Sequence, residues 1–237
     1  MLEIIKGNIF TTKCKTIVNT VNCVGVMGAG IALECRLRHP RMYDEYVRLC
    51  KTGLIATGKL WLYKPEENDG KWILCFPTKT HWKTPSEPRY LEQGLRRFAE
   101  TYKQKNIDSI AFPMLGAFNG GIPEDLSLEI MLRYLEPLDD IAIEIYRYDP
   151  NASDDLMESF RAKWAEAGDD EKIKKESGIG LQYSRRIREA LLSSDIHQLN
   201  QLAKVRGIGE KTLEKAFRFV MDKPTDLLKP EQTRFLF

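Results

Sequence analysis

Lys79, His81 and Lys83 follow closely behind an apolar run at residues 72–76, in the string CFPTKTHWKTP. A lysine amine is a nucleophile only when unprotonated, so one that acts near neutral pH needs burial or neighbouring positive charge to depress its pKa. An exposed loop lysine is the other reading of Lys79. His81 stands second, as a general acid or base. Two glycine-rich stretches carry a different chemistry. The first, VNTVNCVGVMGAGIALECRLR over residues 18–38, has Asn19 and Asn22 at the end of an apolar run and glycines at 25, 28 and 30 ahead of a helix-like segment. The second, FPMLGAFNGGIPED over residues 112–125, again leads from an apolar run toward a helix. Glycine lets the backbone approach an anion closely, and unpaired N–H groups at a helix start supply donors and a favourable dipole. The spacing Gly25-x-x-Gly28-x-Gly30 matches neither the dinucleotide fingerprint nor the P-loop, and taken alone it fits a tight turn with no ligand equally well. The two asparagines weigh toward a ligand, because buried amides need partners.

These clusters need a scaffold that gathers them. Strand-like apolar runs occupy residues 2–5, 16–21, 59–63, 72–76, 109–112 and 141–146, with helix-compatible stretches between several of them. Such alternation predicts a layered α/β domain. Tyr90, Leu91, Gly94, Leu95, Phe98 and Tyr102 recur at spacings of three and four, which predicts a helix over residues 89–103 whose aromatic stripe packs on the sheet. All three candidate clusters follow strands, so they fall along the carboxyl edge of the sheet, where α/β proteins bind ligands.

A chain of 237 residues accommodates one domain of about 150 residues and a smaller one. At 43% hydrophobic and 30% charged residues it reads as neither disordered nor membrane-embedded, and no apolar run approaches the roughly 18 residues of a membrane span. The start MLEIIKGNIF lacks the features of a secretory signal, so a cytoplasmic location is expected. Five cysteines form no CxxC pair and there are three histidines, so neither a metal site nor a disulfide framework is expected. After Tyr148 the string DPNASDD marks a boundary. It divides the chain into an α/β domain over 1–149, an acidic linker or helix over 150–171, and a helical domain over 172–237. The net charge is +2 overall, yet residues 172–218 hold eleven Lys/Arg against five Asp/Glu, which points to a polyanionic partner. Within that segment SGIGLQYSRRIREAL and RGIGEKTLEKAFRFV align glycine for glycine at a period of 29 residues, which predicts a duplicated helical hairpin.

VNTVNCVGVMGAGIA together with PMLGAFNGG resembles the macrodomain family over about residues 1–147, most closely its DNA ADP-ribosyl glycohydrolase branch, the DarG-type antitoxins that oppose DarT toxins. The resemblance implies a mixed central sheet sandwiched between helices. It also implies that Gly25, Val26, Met27, Gly28, Ala29, Gly30 and Ile31 form one loop and Leu115, Gly116, Ala117, Phe118, Asn119, Gly120 and Gly121 a second, which clasp the diphosphate and distal ribose of ADP-ribose. Asn8, Ile9 and Asn19 join this ligand-binding set. Lys79 is selected as the amine that acts on the anomeric carbon of the distal ribose, with Asn22 positioning that sugar. ADP-ribose is then ligand and product, and no cofactor is implied. Two departures stand out. Many macrodomains begin Gly-Asp-Ile and use the Asp to accept the adenine amino group, whereas this chain has Gly7-Asn8-Ile9, whose amide oxygen can still accept. Relatives that clear protein carboxylates carry an Asp in the second loop, where this chain reads Asn119-Gly120-Gly121.

GIGEKTLEKAF resembles a helix-hairpin-helix motif, and SGIGLQYSRRI a diverged copy. Such turns present backbone N–H groups to a phosphate without reading a base. Arg206, Gly207, Gly209, Lys211 and Lys215 are the candidates for that contact, supported by Arg218 and by Arg185, Arg186 and Arg188 around the first copy. The expected function is removal of ADP-ribose from modified DNA bases, with ADP-ribosylated DNA as substrate and a cognate DNA ADP-ribosyltransferase toxin as a partner implied by the resemblance. The alternatives are hydrolysis of protein-linked ADP-ribose or of ADP-ribose 1″-phosphate, and a non-catalytic reader of ADP-ribose.

Overall fold

The structure is a computed structural model that describes residues 1–66, 70–193, 195–221 and 235–236. The chain divides into two compact units. The first spans Met1–Tyr148 and regains the chain at Phe235–Leu236; the second begins at Asp149.

The first unit is built on strands β1 (Leu2–Gly7), β2 (Thr16–Val21), β3 (Trp61–Tyr63), β4 (Trp72–Pro77), β5 (Ser109–Pro113), β6 (Ala142–Tyr148) and β7 (Phe235–Leu236), in the order β1-β6-β5-β2-β4-β3-β7. The first five strands in that order are parallel, and β3 and β7 add antiparallel pairings at the far edge. Strands buried on both faces favour apolar residues, which WILCFP in β4 supplies throughout and Ile17, Val18 and Val21 supply in β2, where Thr16 and Asn19 are buried polar residues. Alternation then sends Ile17, Ile73 and Ala111 to one face, and Val18, Leu74, Ile110 and Phe112 to the other. Helices α1 (Gly30–Arg38) and α2 (Pro40–Lys51) cover the first face through Cys35, Met42, Tyr46 and Leu49. Helices α3 (Pro88–Thr101) and α4 (Glu124–Leu135) cover the second through Leu91, Leu95, Phe98, Ile130 and Met131. The result is the expected three-layer sandwich.

The aromatic stripe of α3 is core, with the Phe98 ring 5.3 Å from that of Phe112, edge to face. Gly94 lets α3 approach the sheet, since a Cβ there would lie 2.2 Å from Phe76 Cζ. Strand β3 is shorter than the apolar run at 59–63. Lys59 N–H donates to the Ala56 carbonyl at 3.0 Å, closing a turn around Gly58, so the chain joins the ladder only at Trp61.

The second unit is helical over its described residues: α5 (Asp155–Ala167), α6 (Asp170–Ser177), α7 (Leu181–Leu192), a 3-10 turn at Leu199–Lys204, and α8 (Glu210–Met221). The segment 150–171, read as an acidic linker or helix, holds α5, the turns on either side of it and the first two residues of α6, and Met157, Phe160 and Trp164 are buried. Asp154 caps α5 by accepting from Leu156 N–H and also accepts from Leu199 N–H at 2.6 Å, which ties the helix to the 3-10 turn. The 29-residue repeat is visible in the backbone, for α8 begins 29 residues after α7 begins and ends 29 after α7 ends. The repeat differs in what precedes each turn, an α-helix in one case and a 3-10 turn in the other.

Candidate functional site

Strands β5, β2 and β4 are neighbours, so the segments leaving their carboxyl ends meet. Thr78 N–H donates to the Val21 carbonyl at 2.9 Å, extending the β2–β4 ladder to the start of both loops. Beyond it Cys23 N–H donates to the Thr80 carbonyl at 3.3 Å, and Cys23 Sγ to the Lys79 carbonyl at 3.2 Å. Lys79 Nζ in turn donates to the Asn119 carbonyl, and Asn119 Nδ2 lies 3.0 Å from where a Cβ on Gly30 would stand. The lysine thus sits where both glycine-rich loops come together.

Asn22 organises the first loop. Its Oδ1 accepts from Val24 N–H at 3.0 Å and Val26 N–H at 3.3 Å, while Nδ2 donates to the Val26 carbonyl at 2.6 Å. Tyr46, from α2, holds this residue by donating to the Asn22 carbonyl at 2.6 Å. Sequence reasoning missed Tyr46 because its spacing from Met42 and Leu49 reads as core. Asn19 is buried in β2, with Nδ2 3.8 Å from Met27 Sδ, so it packs against the loop's one buried side chain, and its Oδ1 lacks a hydrogen-bond partner. Gly25 adopts φ +83° against Val47 and Cys50 of α2. Gly28, Ala29 and Gly30 are exposed, and α1 starts at Gly30 with no side-chain cap and no acidic residue in its first turn. Among the described residues, the N–H groups of Gly28, Ala29, Gly30 and Ile31 find no acceptor, which is the arrangement that receives an anion.

The second loop is fixed from below. Ser127 Oγ donates to the Leu115 carbonyl at 2.6 Å, Ser86 N–H to the Gly120 carbonyl at 2.8 Å, and Ile122 N–H to the Gly116 carbonyl at 3.0 Å. Gly116 adopts φ +65° and Gly121 φ +82°; a Cβ on Gly116 would also lie 2.8 Å from Ile122 Cδ1. Ala117 is buried, whereas Phe118 takes φ +47° and is 63% exposed, its ring edge-on to Tyr148. The N–H groups of Gly116, Phe118 and Asn119 find no acceptor among the described residues.

Burial lowers the Lys79 pKa from its ordinary value, in the direction that favours a free amine. His81 is tied into its own turn, its Nδ1 accepting from Lys83 N–H at 3.2 Å and its ring stacked on Trp82. Burial, with Cys50 nearby, pushes the Cys23 thiol up to about 11, which removes it as a nucleophile. Asn8 is buried at the end of β1 beside Ile9; its Oδ1 accepts from Phe10 N–H at 3.0 Å, and Nδ2 is the atom left without a partner. Among the described residues no three His, Cys, Asp or Glu side chains gather as metal ligands, and no helix is long and apolar enough to cross a membrane.

In the helical unit the two glycine turns are cross-braced. Lys215 Nζ donates to the Gly178 carbonyl at 2.6 Å, and Arg186 Nη1 to the Arg206 carbonyl at 3.4 Å. Lys215 and Arg186 are 29 residues apart, equivalent places in the repeat. Arg188 pairs with Asp170 at 2.9 Å and Arg185 lies 3.7 Å from the same carboxylate. Arg206, Gly207, Gly209 and Lys211 are exposed.

Residues 18–131 match the Macro domain family. The chain is 39% identical over 142 residues to the DNA ADP-ribosyl glycohydrolase of Mycobacterium tuberculosis, a match covering 59% of this chain and 40% of that protein, so the chain spans well under half of that relative. The solved macrodomain of Mycobacterium tuberculosis DarG superposes with a TM-score of 0.60 at 37% identity, covering 62% of this chain and 97% of that one. Thermosipho africanus DarTG, solved in complex with ADP-ribose, gives 0.59 at 37% identity over 62% of this chain and 41% of that one. With that likeness in sequence and in fold, the chain belongs to the macrodomain family.

Proposed function

We propose that the chain is a hydrolase that removes ADP-ribose from modified DNA bases. The observation that carries this reading is the Lys79 amine resting on the second loop next to the first, with N–H groups in both loops, those of Gly28 to Ile31 and of Gly116, Phe118 and Asn119, that find no acceptor among the described residues. Those donors, with the α1 dipole, receive the diphosphate. The distal ribose then lies toward Lys79, whose partly desolvated neutral amine attacks its anomeric carbon as the bond to the base breaks, one amine proton passing to the departing base nitrogen. Water completes the hydrolysis and frees the amine. Asn22 acts by shaping the loop that seats the sugar, and Asn8 and Ile9 border the adenosine end. The relatives named for this activity and for an ADP-ribose complex support the reading.

The helical unit reads as a helix-hairpin-helix module that holds nucleic acid through the Gly207 and Gly209 turn, with Arg206 and Lys211 adding salt-dependent affinity. Lys215 serves first as the brace to Gly178. A cognate DNA ADP-ribosyltransferase is the partner this activity implies, and co-expression that relieves such a toxin's growth arrest tests it.

The test of the activity is direct. ADP-ribosylated oligonucleotide incubated with the wild type yields unmodified strand and free ADP-ribose, and Lys79→Ala leaves the modification in place. Persistence of the modification with the wild type refutes the activity, and equal release by both proteins refutes the lysine. A parallel panel of ADP-ribose 1″-phosphate and protein-linked esters separates the other hydrolytic substrates, and tight ADP-ribose binding without turnover on any of them identifies a reader.

A further inference from the structure

Trp82 is 49% exposed, whereas Trp61 and Trp164 are buried at 1% and 3%. An indole is the side chain with most to gain from leaving water, so one held at a surface needs a reason. It is held firmly. Its ring stacks on His81 at 5.7 Å and 25°, and the turn beneath is closed by Lys83 N–H to His81 Nδ1 at 3.2 Å and by Thr84 Oγ1 to the His81 carbonyl at 2.9 Å. Lys83 Nζ lies 5.1 Å from the indole centroid. Trp82 is three residues beyond Lys79, which places the two Cα atoms within about 11 Å. The same segment is bonded through Thr80 to the first glycine loop, where Val24 is also exposed.

Resting on the activity proposed above, we infer that Trp82 is the platform on which an unpaired base of the DNA strand stacks beside the modified nucleotide, with Lys83 taking the adjoining phosphate. A flat, prebuilt aromatic face beside a cation is how proteins grip single strands without reading their sequence. A duplex hides its base faces, so the platform makes the enzyme selective for single-stranded substrate. Trp82 is a specificity residue here and takes no part in bond breaking.

The experiment uses the full chain, an ADP-ribosylated single-stranded oligonucleotide and an ADP-ribosylated mononucleotide. Trp82→Ala lowers kcat/KM on the oligonucleotide, relative to the mononucleotide, by about tenfold, mostly through KM, and Trp82→Phe restores most of the loss. An unchanged ratio, or a duplex processed as well as the single strand, overturns the inference. Should the wild type release nothing, the activity reading has failed by itself. The platform is then judged by indole fluorescence, taken as wild type minus Trp82→Phe: quenching by unmodified single-stranded oligonucleotide supports it, and no quenching, or quenching equally by duplex, overturns it.

Discussion

Lys79 reaches across from β4 to donate its amine hydrogen bond to the Asn119 carbonyl, so the candidate nucleophile is held by the very loop expected to enclose the sugar. The contact keeps the amine against the second loop, and partial burial there disfavours its charged form.

That lowered pKa sets a pH profile. The active form is the neutral amine, so the rate rises with pH and levels off above the Lys79 pKa, at a value below the roughly 10.4 of an ordinary lysine. Single-turnover release measured from pH 6 to 10 shows this limb. A plateau already complete at pH 6, or a fall with rising pH, contradicts the assignment.

Asn22→Ala removes three hydrogen bonds that fold the first loop on itself. Part-buried bonds of this kind contribute about 1 kcal/mol each, so ADP-ribose affinity drops about tenfold to a hundredfold while the fold survives. Calorimetric titration with ADP-ribose checks it.

Gly94→Ala drives a methyl into the Phe76 ring, at 2.2 Å from Cζ before relaxation. Overpacking of a tight helix–sheet contact costs about 1–3 kcal/mol. Denaturant unfolding of the first unit should show a lower midpoint at unchanged slope.

Cys23 borders the site yet its thiol is pushed up to about 11. At pH 8 its thiolate fraction, and with it alkylation by iodoacetamide, is about a hundredfold or more below that of a free cysteine. Rapid labelling of Cys23 in the native protein, located by mass spectrometry, would overturn this.

Much of the architecture was legible in the residues. Apolar runs marked β2, β4 and β5 to within a residue or so, because strands buried on both faces tolerate little else, and the stripe of Tyr90, Leu91, Leu95 and Phe98 marked α3. The 29-residue repeat was equally plain, since glycine positions are a local property. What local properties do not carry is partnership. Nothing in the string reveals that Asn22 folds its own loop under the hydroxyl of Tyr46, that Lys79 rests on Asn119, or that Lys215 and Arg186 brace opposite glycine turns. Those contacts join residues 20 to 40 positions apart, and they exist only once the order β5-β2-β4 and the packing of the helices in the second unit bring separate segments within hydrogen-bond reach.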